Sequence, residues 1–169
     1  MNIIFLDVDG VLNDFYSLRK RKNRNIFEKP EPLLDEDKIR LLKELVDKTN
    51  SKIVLSSSWR AFFYKDTLDP KNRYGEELRR LLHKYSLEIY SMTGRSKTGI
   101  REDEINDWLN NHSDIESFVI LDDEKSHLQS FVNSNLVKTE YYDELSENCG
   151  LTRSHVDEAI KILSKRKKD

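Results

Sequence analysis

The stretch Phe5 to Asn13, FLDVDGVLN, places two aspartates directly after a short apolar run near the N-terminus. The run from Ile3 to Leu6 has the length and composition of a buried strand. Asp7 and Asp9 follow it, separated by one valine, and Gly10 marks the start of a turn. Two carboxylates at the end of a buried strand indicate either a turn cap or a metal site, and residues elsewhere in the chain decide between the two.

Apolar runs and helix patterns alternate along the rest of the chain. Three further runs predict strands, at Ile53 to Leu55, Leu87 to Tyr90 and Phe118 to Leu121. Three of the four predicted strands show little alternation, which is typical of parallel strands covered on both faces. Helix patterns follow Asp35 as a cap, run from Glu76 to Tyr85 and from Arg101 to Asn111, and follow the turn and cap Gly150-Leu151-Thr152. This order predicts a doubly wound α/β fold with a mainly parallel sheet.

Length and composition predict one soluble domain over residues 1–164, followed by a basic tail at 165–169. The formal charge of -2 predicts no general affinity for polyanions, so any nucleic-acid contact must come from a local patch. We find no signal peptide, no membrane-spanning run and no sign of an obligate protein partner, and we expect a cytoplasmic location. Cys149 is the single cysteine, so there is no internal disulfide, and we interpret it as structural.

Two segments do not fit the alternation of strands and helices. Tyr16 to Leu34 is predicted to be a polar connection, and Ser58 to Tyr74 a second irregular stretch. The basic run Arg19 to Arg24 either forms a solvated charged surface or contacts nucleic acid. Trp59 could stack on a base, although packing beneath its loop is the favoured interpretation, and Trp108 is predicted to lie in the core.

Polar residues stand at the ends of three predicted strands. Because the carboxyl ends of parallel strands meet at one edge of a sheet, we expect these side chains to converge there. They are Asp7 and Asp9, Ser56 and Ser57, and Asp122 and Asp123. Two carboxylates about 4 Å apart repel by roughly 4 kcal/mol at an effective dielectric near 20, so a cation is needed. Oxygen ligands without a nearby cysteine or paired histidine favour Mg²⁺.

These motifs resemble, in order, those of the haloacid dehalogenase (HAD) superfamily of phosphatases and phosphotransferases. They are DVDGV at Asp7 to Val11, a strand ending in Ser56, a basic residue before a helix, and Asp122-Asp123. SSSWR at Ser56 to Arg60, IREDEINDWL at Ile100 to Leu109, and GLT at Gly150 to Thr152 look like the HAD domain of Swiss Army Knife RNA repair proteins. The resemblance implies a HAD-like, Rossmann-like, three-layer α/β/α sandwich with a minimal cap domain or none.

The resemblance also implies a role for each acidic residue. Asp7 would be the nucleophile that forms an aspartyl-phosphate, and Asp9 would protonate the leaving oxygen and then activate water. Mg²⁺ would be held by the Asp7 side chain, the Asp9 backbone carbonyl and the Asp122-Asp123 pair. Asp123 is the expected direct ligand by analogy, and the sequence leaves open which of the pair binds directly.

The same resemblance places Ser56 and Ser57 at the phosphate, with a hydrogen bond from Ser56 to a phosphoryl oxygen. The basic residue of the third motif is assigned to Arg101 at the start of a helix, with Lys97 as the alternative. A Mg²⁺-dependent phosphatase is the leading hypothesis. Because neither gap between motifs has room for a large cap domain, an open crevice follows, suited to a nucleic-acid end or nucleotide. The alternatives are a catalytically weak module that binds phosphate ends, and a phosphotransferase with an acceptor other than water.

Overall fold

A computed structural model describes residues 1–22 and 33–165, without the side chains of 20–22. Its sheet has five parallel strands in the order β3-β2-β1-β4-β5. The strands are β1 (Asn2–Leu6), β2 (Ser51–Leu55), β3 (Ile89–Met92), β4 (Ser117–Asp122) and β5 (Leu136–Lys138). All four predicted strands are confirmed. β5 was not predicted, because three residues carry too short an apolar pattern.

Five helices connect and cover the strands. They are α1 (Phe15–Lys22), α2 (Glu36–Thr49), α3 (Arg73–Lys84), α4 (Arg101–Asn110) and α5 (Arg153–Leu163), with short 3₁₀ helices at Ser58–Phe62 and Gln129–Phe131. Asp35 caps α2 through a hydrogen bond from the Asp37 amide, as predicted. No helix in residues 1–22 or 33–165 is both long and apolar enough to cross a membrane.

The apolar residues of β1 point alternately into two separate cores. Ile4 and Leu6 pack with α2, α3 and α5 on one face of the sheet. Ile3 and Phe5 pack with α4 and the second 3₁₀ helix on the other face. This double burial explains why the predicted strands lack a polar face. The predicted three-layer arrangement of helices on both sides of a parallel sheet is confirmed.

The strand order fixes the position of the site. β1 lies at the centre, and Leu6 at its carboxyl end stands beside Leu55 of β2 and Leu121 of β4. The chain moves outward from β1 on both sides, so the gap between β1 and β4 is the point where the strand order reverses. In open α/β sheets the crevice beyond this point is the usual ligand site. Asp7 and Asp122 lie at this crevice.

Several predicted boundaries differ from the structure. The third strand lies two residues later than Leu87 to Tyr90, because Leu87 is buried in the preceding turn. The predicted polar connection, Tyr16 to Leu34, was wrong at its start, since Tyr16 to Lys22 belong to α1. That helix has no apolar stripe, so its sequence gave no periodic signal. Residues 23–32 of this connection and 166–169 of the predicted tail lie outside the described residues.

The predicted irregular stretch Ser58 to Tyr74 was also wrong at both ends. It begins with a 3₁₀ helix, and α3 starts at Arg73 rather than Glu76. Asn72 caps α3, since its side-chain oxygen accepts hydrogen bonds from the amides of Tyr74 and Gly75, at 3.0 and 3.2 Å. The helix signal was missed because the cap precedes the apolar stripe by several residues.

The cap at Asn72 gives a stability prediction. Asn72→Ala removes the acceptor for two amides at the helix start and should lower the free energy of unfolding by about 1 kcal/mol. Asn72→Asp keeps an oxygen acceptor near the positive end of the helix and should lower it much less. Urea unfolding of the two variants beside the unaltered protein checks this. Equal losses in both variants would contradict the capping role.

Candidate active site

Three aspartates meet where β1 and β4 end. Asp7 follows β1, Asp122 is the last residue of β4, and Asp123 follows it. One carboxylate oxygen from each lies within 4.8 Å of the others. The parallel pairing of β1 with β4 imposes this, because the Asp7 amide donates to the Leu121 carbonyl at 3.0 Å and continues the ladder. This arrangement provides the oxygen ligands that a hard divalent cation needs.

Asp7 is a buried carboxylate with several donors. Its Oδ1 accepts a hydrogen bond from the Val8 amide at 2.8 Å and lies 3.4 Å from Nη1 of Arg101. Burial raises the pKa of the Asp7 carboxyl above its usual value, although the Arg101 guanidinium and a hydrogen bond from the Ser57 side chain oppose this rise. A buried carboxyl with a perturbed pKa and a specific charged partner in a crevice is a candidate functional group.

The second pair of acids is held in an unfavourable environment. Burial, with repulsion from Asp7, raises the pKa of Asp122 to about 7. Burial and the same repulsion raise the pKa of Asp123 to about 6. Oδ1 of Asp122 accepts from the Glu124 amide at 2.9 Å, whereas its buried Oδ2 accepts no hydrogen bond within the described ranges. A bound cation would remove this cost, since it favours the ionised carboxylates.

Arg101 is the positive charge that faces these acids. It is the first residue of α4, and its Nη1 lies 3.2 Å from Oδ2 of Asp122 as well as near Asp7. The same nitrogen donates to the carbonyl of Ser56. Burial opposes the charge, but Asp7 and Asp122 outweigh it and raise the pKa of Arg101. The helix start therefore delivers a permanently charged guanidinium to the crevice.

The loop after β2 brings two serines to the same place. Ser56 and Ser57 are both buried, and the Ser56 amide donates to the Leu6 carbonyl at 2.9 Å. The Ser56 Oγ has no hydrogen-bond partner among the residues that the structure describes. The Ser57 side chain is hydrogen-bonded to Asp7 and accepts from the Trp59 amide at 3.3 Å. Among the described residues Ser56 thus has a hydroxyl without a hydrogen-bond partner, whereas the Ser57 hydroxyl is already engaged.

Asp9 lies outside the cluster of three acids. Its side chain is exposed, its Oδ1 accepts from Nδ2 of Asn13 at 2.9 Å, and its Oδ2 accepts from Nε1 of Trp59 at 2.9 Å. The Asp9 side chain is therefore not one of the three carboxylates that lie within 4.8 Å of one another. This geometry agrees with an Asp9 that offers only its backbone carbonyl to a cation.

A family model described as the HAD domain in Swiss Army Knife RNA repair proteins matches residues 3–156. The chain belongs to this family. The match confirms the resemblance that the motifs carry and, with the parallel sheet, the predicted HAD-like and Rossmann-like fold. No curated protein and no solved structure matches the chain significantly.

In this HAD domain the turn after the first motif is built around Gly10. Its φ is +75°, a conformation that residues with a side chain rarely adopt. A Cβ at this position would lie 2.4 Å from Cγ of Asp123. The Gly10 carbonyl accepts from Oγ1 of Thr139 at 2.6 Å, and the Thr139 amide donates to the Asp122 carbonyl at 3.0 Å. Gly10 therefore allows the first and fourth motifs to approach each other.

Lys97, the alternative third-motif residue, has a different environment. It is exposed in the loop between β3 and α4, and it makes no hydrogen bond or ion pair to any described residue. The structure brings Arg101 to the acids and leaves Lys97 at the surface. The assignment of the basic role to Arg101 over Lys97 remains a proposal, now with geometry in its favour.

Sequence reasoning missed a buried ion pair behind the site. Nη2 of Arg60 lies 2.8 Å from Oε2 of Glu104, and the same guanidinium donates to the Ser57 carbonyl and to Thr93. These bonds tie the loop after β2 to the loop before α4. The two residues stand far apart in the chain, and although each lies in a stretch that carries the family resemblance, SSSWR or IREDEINDWL, no spacing rule links the two positions.

The close approach at Gly10 gives a second prediction. Gly10→Ala must adopt a positive φ and also displace Asp123, whereas Gly99→Ala has the same type of φ, +72°, with open space around its Cβ. Gly99→Ala should cost about 1–2 kcal/mol of unfolding free energy, and Gly10→Ala clearly more. Chemical denaturation of both variants measures the difference. Equal costs would show that the contact with Asp123 is not restrictive.

The raised pKa values predict how the metal-free protein responds to pH. Asp122 binds its proton more tightly in the folded state, with a pKa of about 7 against an ordinary 3.8. The folded state therefore holds more protons than the unfolded chain between these values, and stability should fall as pH rises from about 4 to about 7. Asp122→Asn should show a weaker fall. Urea unfolding of both proteins at several pH values, in buffers free of divalent cations, tests this prediction. If the unfolding free energies of the two proteins change with pH by the same amount, the pH dependence does not come from Asp122.

Proposed function

We propose that this HAD domain is a Mg²⁺-dependent phosphatase that acts through an aspartyl-phosphate on Asp7. The observation that carries the proposal is the convergence of Asp7, Asp122 and Asp123 with Arg101 at the point where the strand order reverses. Membership of the HAD family supports a phosphatase-type activity in general.

The residues present fit a divalent cation. Three carboxylates offer oxygens within 4.8 Å of one another, and the Asp122 Oδ2 is buried without a hydrogen bond in the described part of the chain. Asp7, Asp122 and Asp123 would hold Mg²⁺, with the Asp9 carbonyl as the further ligand that the family motif implies. When bound, Mg²⁺ offsets the negative charge that the phosphate brings beside the carboxylates.

The phosphate would be held by groups that face the acids from two other elements. The unpartnered hydroxyl of Ser56 can donate to a phosphoryl oxygen, since nothing described here occupies it. Arg101 can stabilise charge on the phosphoryl oxygens while it remains near Asp7. Ser57 supports Asp7 through its hydrogen bond and so acts beside the phosphate rather than on it.

The proposed reaction has two steps. A carboxylate oxygen of Asp7 forms a bond to phosphorus while the bond from phosphorus to the ester oxygen breaks, and Asp9 gives that oxygen its proton. Asp9, now ionised, then takes a proton from a water molecule as the water oxygen bonds to phosphorus. The bond between phosphorus and Asp7 breaks, inorganic phosphate leaves, and both aspartates return to their initial states.

We propose phosphorylated nucleic-acid ends or nucleotides as the substrate class. The family description places such domains in RNA repair proteins. The described connections also leave the crevice open, since the segment between β2 and β3 contains only a 3₁₀ helix and α3. Arg19, on the exposed part of α1, begins the basic run whose residues 23 and 24 lie outside the described ranges.

Replacement of the nucleophile tests the proposal. The unaltered protein should release phosphate from 3′- or 5′-phosphorylated oligonucleotides in the presence of Mg²⁺ and lose this activity with a chelator. Asp7→Asn should lower the rate by at least about three orders of magnitude, because no aspartyl-phosphate can form. Asp107→Asn, at an exposed position on α4, is the control that should keep full activity.

The substrate arm uses small sugar phosphates in the same assay. Activity confined to sugar phosphates would reject nucleic-acid ends while it keeps the phosphatase. Equal rates for Asp7→Asn and the unaltered protein would favour a phosphate-end binding module. Transfer of phosphate to an alcohol instead of water would favour a phosphotransferase.

A further inference from the structure

The carboxylate of Asp9 is held at both oxygens. Nε1 of Trp59 donates to Oδ2 and Nδ2 of Asn13 donates to Oδ1, each at 2.9 Å. The first donor comes from the loop after β2 and the second from the turn after β1. Two donors from separate elements fix both the position of the carboxylate and the rotation of its plane.

Trp59 is itself rigidly placed. It is 5% exposed, and its indole packs against the rings of Phe62 and Tyr74 with centroids 5.4 and 6.4 Å away. An indole nitrogen can donate a hydrogen bond but cannot accept one, so Trp59 is the donor and Asp9 the acceptor in this contact. The buried indole thus places its single polar atom, Nε1, against the exposed carboxylate of Asp9. The burial of Trp59 agrees with the packing predicted for it, whereas its hydrogen bond to Asp9 was not predicted.

Asn13 is equally constrained. Its side chain is buried, and while its nitrogen donates to Asp9, its oxygen accepts from the Gly10 amide at 3.1 Å. The two contacts are satisfied by one orientation of the amide group, since only the nitrogen donates and only the oxygen accepts. Asn13 therefore couples the carboxylate of Asp9 to the turn that carries it.

We propose that Trp59 and Asn13 are positioning residues that aim the Asp9 carboxylate at the leaving oxygen of the substrate. This inference rests on the proposed function, in which Asp9 carries a proton to the ester oxygen and later takes one from water. An ionised carboxylate offers about four acceptor sites, and the two donors use one site on each oxygen. The remaining sites stay open on an exposed side chain, so a proton can be carried there without loss of either hydrogen bond.

Without the indole N–H, Asp9 would keep its chemistry but lose part of its orientation. A misplaced proton donor costs most for substrates whose leaving oxygen is strongly basic, because these need protonation as the bond breaks. Esters with an acidic leaving group leave without that help. A purely structural role for Trp59 would lower the rate for all esters by the same factor.

The experiment compares Trp59→Phe with the unaltered protein on a series of phosphate monoesters, from alkyl phosphates to p-nitrophenyl phosphate. The ratio kcat/KM reports the first chemical step and is not affected by later hydrolysis of the aspartyl-phosphate. We expect a loss of about 10- to 100-fold for alkyl esters and little loss for p-nitrophenyl phosphate. An equal loss across the series, or no loss at all, would overturn the inference.

The chain supplies a matched control. Trp108 is also 5% exposed, and its Nε1 donates to Oγ of Ser91 at 3.1 Å, in the core on the other face of the sheet. Trp108→Phe removes an equivalent hydrogen bond and should leave the dependence on the leaving group unchanged. A changed dependence in Trp108→Phe would also overturn the inference, since it would show that any buried indole contact affects the reaction.

A spectroscopic readout separates this inference from the proposed function. The protein contains two tryptophans, so a ¹⁵N–¹H spectrum should show two indole resonances, and Trp59→Phe identifies one of them. Asp9→Asn should shift the Trp59 resonance and leave that of Trp108 in place. An unshifted resonance would overturn the contact. If Asp9→Asn shifts the Trp59 resonance but the unaltered protein has no phosphatase activity, the proposed function is rejected, and the positioning role with it.

Discussion

The structure depends on one constraint, which is the crowding of carboxylates where two parallel strands end. The pairing of Leu6 with Leu121 brings Asp7 beside Asp122 and Asp123, where burial makes their mutual repulsion costly. Arg101 supplies one positive charge among them. One guanidinium does not neutralise three carboxylates, and burial raises the pKa of all three acids, with repulsion from Asp7 adding to the rise at Asp122 and Asp123. In the proposed function a bound cation offsets the repulsion between the ionised carboxylates.

The loop Ser56 to Arg60 contacts Asp7, Asp9 and Arg101. The Ser56 carbonyl accepts from Arg101, the Ser57 side chain bonds to Asp7, and the Trp59 indole donates to Asp9. Arg60 then forms an ion pair with Glu104 of α4, the helix that begins with Arg101. A displacement of this loop would therefore alter the surroundings of Asp7, Asp9 and Arg101 together. The segment SSSWR therefore holds several site residues in place, in addition to carrying part of the family resemblance.

The sequence predicted those features that have a continuous local pattern. β1, β2 and β4 are buried on both faces and so appear as unbroken apolar runs. Asp7, Asp122 and Asp123 converge as expected, whereas the Asp9 side chain, which was expected there too, lies outside their group. β5 and α1 were missed because contacts with residues distant in the sequence, rather than a local pattern, stabilise them. β5 has three residues, and Phe15 of α1 packs on Tyr142 from the far end of the chain, with ring centroids 5.0 Å apart. The contacts of Asn13 and Trp59 with Asp9 were missed for the same reason, since no spacing rule links these positions.

The stretch DVDG places two acids of the same type in opposite environments. Val8 between them is buried in the core, while Asp7 is held beside Arg101 and Asp9 stands at the surface between two neutral donors. An indole and an amide fix the orientation of the Asp9 carboxylate without adding charge. In the proposed function neutral donors suit Asp9, which both gives and takes a proton, whereas the charged neighbour Arg101 suits Asp7, which attacks phosphorus.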